Sequence, residues 1–387
     1  MKRVAVLGGG PAGAFAAAQL AGAGMRTVVL DEKLAWEKPC GGGLTYKAYH
    51  QYPFLINNDA PKKLITETIL AAPGAGEVRL KLNEPLLIYS RYDLNRLLLE
   101  RAERAGAQIE KTRVLGIERQ SGGWRLKTKS GSLDADFCVV ATGARNQLRD
   151  VGTQLTTLDT MSALGYYVPG EQNQIDIQFL PNLHGYIWVF PRCGHLSVGI
   201  CGKGEPAHSL RARLERYMAE KGISPLGAKF YSHVLPSLET KAWKKNRVAG
   251  DGWMAVGDAA GLVDPITGEG LYYAMRSGDL AANALLAEAP QSYHRTLRKE
   301  FSADLEFSSR LARQVFLGRF LLGSVPKRMV QFTRRSPRFA ALMQDLFAGT
   351  QSYLGLKDRL LQNLNGSLFE VAMSFGFSRL LPGGSRT

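Results

Sequence analysis

The chain has 387 residues, 45% hydrophobic and 21% charged. That length suits two or three domains of about 150 residues, and the composition excludes a long disordered tract. The net charge of +15 asks for an acidic partner. Cys40, Cys138, Cys193 and Cys201 have neither paired spacing nor a nearby histidine cluster, so neither a disulfide framework nor a zinc site is indicated, and a reducing cytoplasm is the natural home.

Residues 1–13 read as a short strand running into Gly8-Gly9-Gly10-Pro11-Ala12-Gly13, with an alanine-rich helix directly behind. This is a seat for a dinucleotide. Gly8 permits the tight turn, Gly10 lets backbone approach a pyrophosphate, Gly13 lets the helix pack on the strand, and the helix N-terminus offers unpaired N–H groups. Residues 27–30 form a second apolar strand ending in Asp31, where an acid can hydrogen-bond a ribose 2′-hydroxyl. Because residues 1–7 are already a strand of the fold, no signal peptide is expected.

Residues 34–58 read as irregular, and the run Lys38-Pro39-Cys40-Gly41-Gly42-Gly43 is too glycine-rich for a helix. Residues 64–89 alternate like strands (Ile65, Thr68, Leu70, then Val78, Leu80, Leu82), and 92–106 predict an amphipathic helix closed by Gly106. Strands follow at 113–118, 124–128 and 137–141, the last ending in Thr142-Gly143-Ala144. Residues 163–201 are strand-like, with turns at Pro169-Gly170 and Arg192-Cys193-Gly194, and 210–221 are helical. A strand at 253–256 ends at Gly257-Asp258-Ala259-Ala260, read as a helix start, and everything from about residue 291 is helix-prone. No solenoid repeat is present.

Nucleotide-binding segments thus recur at the N-terminus, in the middle and near residue 257. The expected fold is α/β: a discontinuous Rossmann-type nucleotide-binding domain (1–63, 90–150 and 246–290), an inserted antiparallel β-sheet substrate domain (64–89 and 151–245) and a C-terminal helical region (291–387). From residue 290 onward there are fifteen Lys or Arg against six Asp or Glu. These alternate with Val315-Phe316-Leu317, Phe320-Leu321-Leu322, Met343 and Phe347, the composition of an amphipathic, membrane-facing helix set; a helical domain with a solvated basic face is the other reading. On the first reading Arg328, Arg334, Arg335 and Arg338 meet an anionic membrane. No apolar run reaches the ~18 residues that span a bilayer.

The glycine motif, the Thr142-Gly143 strand end, and Gly257-Asp258 followed by Pro265 and Gly268-Glu269-Gly270 resemble the flavin hydroxylase superfamily. Within it, Cys40-Gly41-Gly42-Gly43, Tyr186-Ile187-Trp188-Val189-Phe190-Pro191 and residues 257–278 resemble the geranylgeranyl reductase family, over roughly residues 1–285. The approach to Tyr186, from Pro181 through Asn182-Leu183-His184-Gly185, is longer than the family usually shows.

The resemblance implies FAD held by Gly8, Gly10, Pro11, Ala12, Gly13, Asp31, Glu32, Lys33, Cys40, Gly41, Gly42, Arg91, Val114, Ala141, Thr142, Gly143, Gly257, Asp258, Gly268, Glu269 and Gly270. It implies a substrate pocket at Tyr186, Trp188, Phe190 and Pro191; Trp188 and Phe190, two apart on a strand, share a face. Cys40, beside the flavin, is either a proton donor to the substrate or a small residue chosen for space. The activity implied is reduction of carbon–carbon double bonds in an isoprenoid or other lipid-like chain, with NAD(P)H or a carrier protein as electron donor. A monooxygenase or halogenase shares the same nucleotide motifs. Neither nucleic acid nor metal is expected, and the location implied is cytoplasmic, at most peripheral to the membrane.

Overall fold

The computed structural model describes residues 2–148, 150–356 and 358–360. A six-stranded sheet is built, in spatial order, from Ala249–Gly250, Trp253–Ala255, Phe137–Val140, Arg3–Leu7, Arg26–Leu30 and Gln108–Glu110. All pairs are parallel except the first. Its strands are near-continuous apolar runs because the sheet is covered on both faces. Helix Pro11–Gly22 packs on it, with Gly13 as the contact: a Cβ there would lie 1.9 Å from the Gly8 carbonyl oxygen. Register places Leu7 opposite both Leu30 and Val140, and Val140 opposite Ala255. The segments that follow these four residues therefore leave the sheet at one edge, where α/β folds bind ligands.

An eight-stranded sheet runs in the order Lys229–Pro236, Thr160–Pro169, His195–Gly202, Gly185–Pro191, Ile175–Phe179, Lys62–Ala72, Gly76–Tyr89, Gly43–Leu44. It is antiparallel except for one parallel pair, Ile175–Phe179 with Lys62–Ala72. Those two strands are separated in the chain by nucleotide-binding segments, so no hairpin dictates their direction. The sheet takes its edge strand, Gly43–Leu44, from the glycine-rich run and its next strand in the chain begins at Lys62, both within the segment expected to belong wholly to the nucleotide domain.

Several local expectations change. The stretch read as irregular contains a short helix, Tyr46–Gln51. Gly257–Ala260 is a single 3₁₀ turn ended by Gly261 in left-handed backbone, and the long helix begins only at Leu271. A third strand, Gly131–Ala135, completes a meander with Val114–Gln120 and Gly123–Thr128. The tail is helical at Ala303–Leu317, Val325–Arg335 and Pro337–Ala348, interrupted by a hairpin of Arg319–Phe320 and Gly323–Ser324. The part of the C-terminal expectation at 361–387 lies outside the described residues. Phe316, Val330 and Met343 from these helices join the core beneath the eight-stranded sheet.

Candidate functional site

One cavity of about 1150 Å³ runs from the carboxyl edge of the parallel sheet, across the glycine-rich loop, and between the eight-stranded sheet and the C-terminal helices. Of the residues expected at the cofactor, Gly10, Pro11, Ala12, Cys40, Gly41, Gly42, Arg91, Ala141, Gly143, Gly257, Asp258, Gly268, Glu269 and Gly270 line it. So do Tyr186, Trp188 and Phe190. Gly8, Gly13, Asp31, Glu32, Lys33, Val114, Thr142 and Pro191 do not. Gly8, at φ 116°, packs against the Ala141 carbonyl. Asp31 accepts from the Gly9, Lys33 and Leu34 N–H groups, so the acid expected at a ribose also ties down the turn. Glu32 pairs with Lys129 and Arg113 on the surface, Lys33 sits over the Trp36 ring, and Val114 packs against the main core.

Three observations fit a dinucleotide in this cavity. Gly8 and Gly13 are required by the chain's own packing, whereas a Cβ on Gly10 would meet no atom within 4 Å. Packing within the chain therefore does not call for a glycine at this position, which opens onto the cavity. Gly10 also caps helix Pro11–Gly22 without a side chain, leaving its first N–H groups without a side-chain acceptor and free for phosphate. Arg91, 3% exposed at the start of helix Arg91–Arg104, donates to Asn95 while its Nε, also buried, has no partner. A buried, unpaired cationic donor facing a cavity calls for an acceptor.

Asp258 meets something the sequence reading did not include. Lys38, at the head of the glycine-rich run, donates to its Oδ2 at 3.1 Å across the cavity. Burial pushes the Asp258 carboxyl up, but Lys38 and the nearby His233 more than offset this and hold it below the usual range. His233 stands on a strand with no motif to announce it, and burial pushes its imidazole down to about 4.

The Cys40 loop is clamped from the sheet side. Arg192, 0% exposed, makes an ion pair with Glu37 at 2.6 Å and donates to the Cys40 carbonyl. The Ser197 hydroxyl donates to the same carbonyl at 3.1 Å and shares a hydrogen bond with Tyr231. The Cys40 Sγ accepts from the Gly42 N–H at 3.3 Å. Gly42 has left-handed backbone (φ 84°) and a Cβ there would strike the Tyr89 carbonyl, while side chains on Gly41 and Gly43 would press into the Phe190 ring. The glycines let the loop lie flat on the sheet. Neither Arg192 nor Ser197 was legible as a site residue, because each appears only as an ordinary member of a strand or turn.

Glu269 accepts a hydrogen bond from Thr45 at 2.9 Å, and burial pushes its carboxyl up to about 7. Beyond Trp188 and Phe190 the wall is apolar, with Leu70, Leu86, Ile177, Phe179, Phe316, Met343 and Phe347. Among the described residues no cluster of possible metal ligands exists and no helix is long and apolar enough to cross a membrane.

This fold and cleft define an FAD-dependent oxidoreductase. The model of the FAD dependent oxidoreductase family matches residues 88–288, and that of the pyridine nucleotide-disulphide oxidoreductases residues 2–164. A geranylgeranyl diphosphate reductase of Rhodobacter capsulatus is 32% identical over 310 residues, 73% of this chain and 74% of the relative. A digeranylgeranylglycerophospholipid reductase of Methanothrix thermoacetophila is 30% identical over 319 residues, 75% and 78%. The crystal structure of a geranylgeranyl bacteriochlorophyll reductase-like protein of Thermoplasma acidophilum superposes with a TM-score of 0.76 at 23% identity, covering 93% of this chain and 98% of that one, and so shares its fold. The chain belongs to the geranylgeranyl reductase family of FAD-dependent oxidoreductases.

Proposed function

We propose that the protein reduces isolated carbon–carbon double bonds of an isoprenoid chain carried by a lipid-like molecule. The observation that carries this reading is the continuity of the cavity from the nucleotide-binding edge, past Cys40, into an apolar tunnel. Its volume of about 1150 Å³ lies above the roughly 300–1,000 Å³ of ordinary small-molecule sites, room for part of a cofactor and a long hydrocarbon together. The names of the Rhodobacter and Methanothrix relatives support the same substrate class.

The N-terminus of Pro11–Gly22, Arg91 and Asp258 would hold the FAD, which when bound and reduced supplies the hydride. The chain contributes orientation, dryness and the proton. Arg192 and Ser197 fix the Cys40 backbone, so the thiol is held at the cavity wall. Its sulfur accepts from Gly42, which leaves the thiol's own proton uncommitted and available to the second alkene carbon. Glu269 is a further proton holder on the same wall, and an apolar chain that excludes water would favour its neutral form further. Electrons would come from NAD(P)H or a carrier protein, since the sequence has no second glycine fingerprint.

The test separates two half-reactions. Reduced enzyme, mixed without oxygen with an alkene lipid such as geranylgeranyl diphosphate, is expected to be reoxidised, with the saturated product recovered. Cys40→Ser should slow that step and leave reduction by the donor nearly unchanged. Enzyme that stays reduced under these conditions, yet consumes oxygen when given an aromatic substrate, would replace this reading with a monooxygenase or halogenase.

A further inference from the structure

The hairpin that interrupts the C-terminal helices has a composition that folding alone would not select. Arg319–Phe320 pairs with Gly323–Ser324, leaving Leu321 and Leu322 as a two-residue turn. Both leucines have left-handed backbone, at φ 47° and 61°. Tight hairpins place Asn-Gly at such positions because a branched L side chain is strained there. Leu322 is nevertheless 97% exposed, with Leu317, Phe320 and Leu321 exposed beside it.

The tip is braced from beneath. Arg328 donates from Nε to the Phe320 carbonyl at 3.3 Å and from Nη2 to the Leu321 carbonyl. Arg328 is thus committed to the hairpin, as Arg334 is to the carbonyls of Ala75 and Glu77, although both were expected to face a membrane. The exposed Arg313 and Arg319, by contrast, have no ion pair among the described residues. Between Glu306 and Asp345 the chain carries eight Lys or Arg and no acid. Arg319 and Phe320 also line the tunnel, so the tip stands at its mouth.

We infer that Phe320-Leu321-Leu322 is a wedge that enters the interface of an anionic bilayer, with Arg313 and Arg319 against its headgroups, so that the tunnel opens onto lipid. A strained apolar tip with the exposed Arg313 and Arg319 close by in the chain is complementary to a surface that is anionic outside and apolar beneath. A few side chains fall far short of the roughly 20–30 residues that each side of a stable protein interface presents. The inference rests on the proposed reading only for what the membrane delivers, since binding is measured without turnover.

The experiment uses the full FAD-loaded chain and phosphatidylcholine vesicles with and without phosphatidylglycerol. Wild type should bind the anionic vesicles, and more weakly as salt rises. Leu321→Asn combined with Leu322→Gly supplies the residues the turn prefers, so the thermal midpoint should hold or rise while the partition constant falls about tenfold or more. Arg313→Ser with Arg319→Ser should reduce the preference for anionic lipid. Leu322→Trp should show a blue-shifted emission on vesicles. Wild type that ignores vesicles, or an Asn-Gly variant that binds as well as wild type, overturns the inference. Self-association in sedimentation without lipid that the Asn-Gly variant abolishes would assign the tip to a second copy instead. Tip-dependent vesicle binding in a protein that reduces no alkene would leave this inference standing and remove only the proposed chemistry.

Discussion

Replacing Arg192 by Met would remove a guanidinium with 0% exposure that the fold holds between Glu37, at 2.6 Å, and the Cys40 carbonyl. Taking one partner from a buried ion pair costs about 3–5 kcal/mol, because the other charge is left uncompensated. Glu37 is 26% exposed and keeps the N–H groups of Arg91 at 2.9 Å and Tyr92 at 3.2 Å, which places the loss near the lower end, about 3 kcal/mol. At about 2.1 cal/mol/K per residue over 387 residues, that corresponds to roughly 4 °C in Tm. The pH dependence has a definite sign. Burial pushes the Glu37 carboxyl up, but Arg192 and the two N–H groups more than offset it, so its folded pKa lies below the ordinary 4.5. A lowered pKa contributes stability that is present above 4.5 and lost as pH falls through the folded value. The deficit of the variant should therefore be full near neutrality and shrink in acid. Urea unfolding of both proteins, followed by tryptophan fluorescence at about pH 7 and about pH 4, measures it. A loss below about 1 kcal/mol at neutral pH, or a deficit that acid leaves unchanged, would refute the reasoning.

Two further substitutions test the cavity. Gly10→Ala should fold normally, since its Cβ meets nothing within 4 Å, yet lose FAD affinity by about 1–3 kcal/mol through crowding of the pyrophosphate, whereas Gly13→Ala, 1.9 Å from the Gly8 oxygen, should fail to fold. Circular dichroism with flavin absorbance of the purified proteins distinguishes them, and an unchanged flavin content in the first would show that the cofactor lies elsewhere. Glu269 should be protonated below about pH 7 and ionised above it, so anaerobic reoxidation by alkene should decline as pH rises through that value, and Glu269→Gln should remove the inflection. An inflection that survives the substitution would assign it to another group.

Much of the nucleotide edge was legible because its determinants are local. A strand, a turn that needs Gly8 at φ 116° and a helix that needs Gly13 against the strand are requirements met within a few residues, and each leaves a mark in composition. The alternation along Gly185–Pro191 likewise places Tyr186, Trp188 and Phe190 on one face. Where local pattern misled, the neighbourhood was atypical: Gly257–Ala260 looks like a helix start but turns once and stops at Gly261, and the helix-prone tail hides a hairpin made of residues that seldom turn.

By itself, then, the sequence determined a nucleotide-binding α/β protein with an inserted sheet, because glycine placement and hydrophobic period act over a turn or a strand. Tertiary structure alone decided that Lys38 reaches Asp258 across 220 residues, that Arg192 reaches Glu37 across 155, and that the C-terminal helices close an apolar tunnel over the glycine loop. Such contacts carry no period. They arise only when the register of two sheets brings distant strand ends to one edge, where a buried charge must find its partner or remain unpaid.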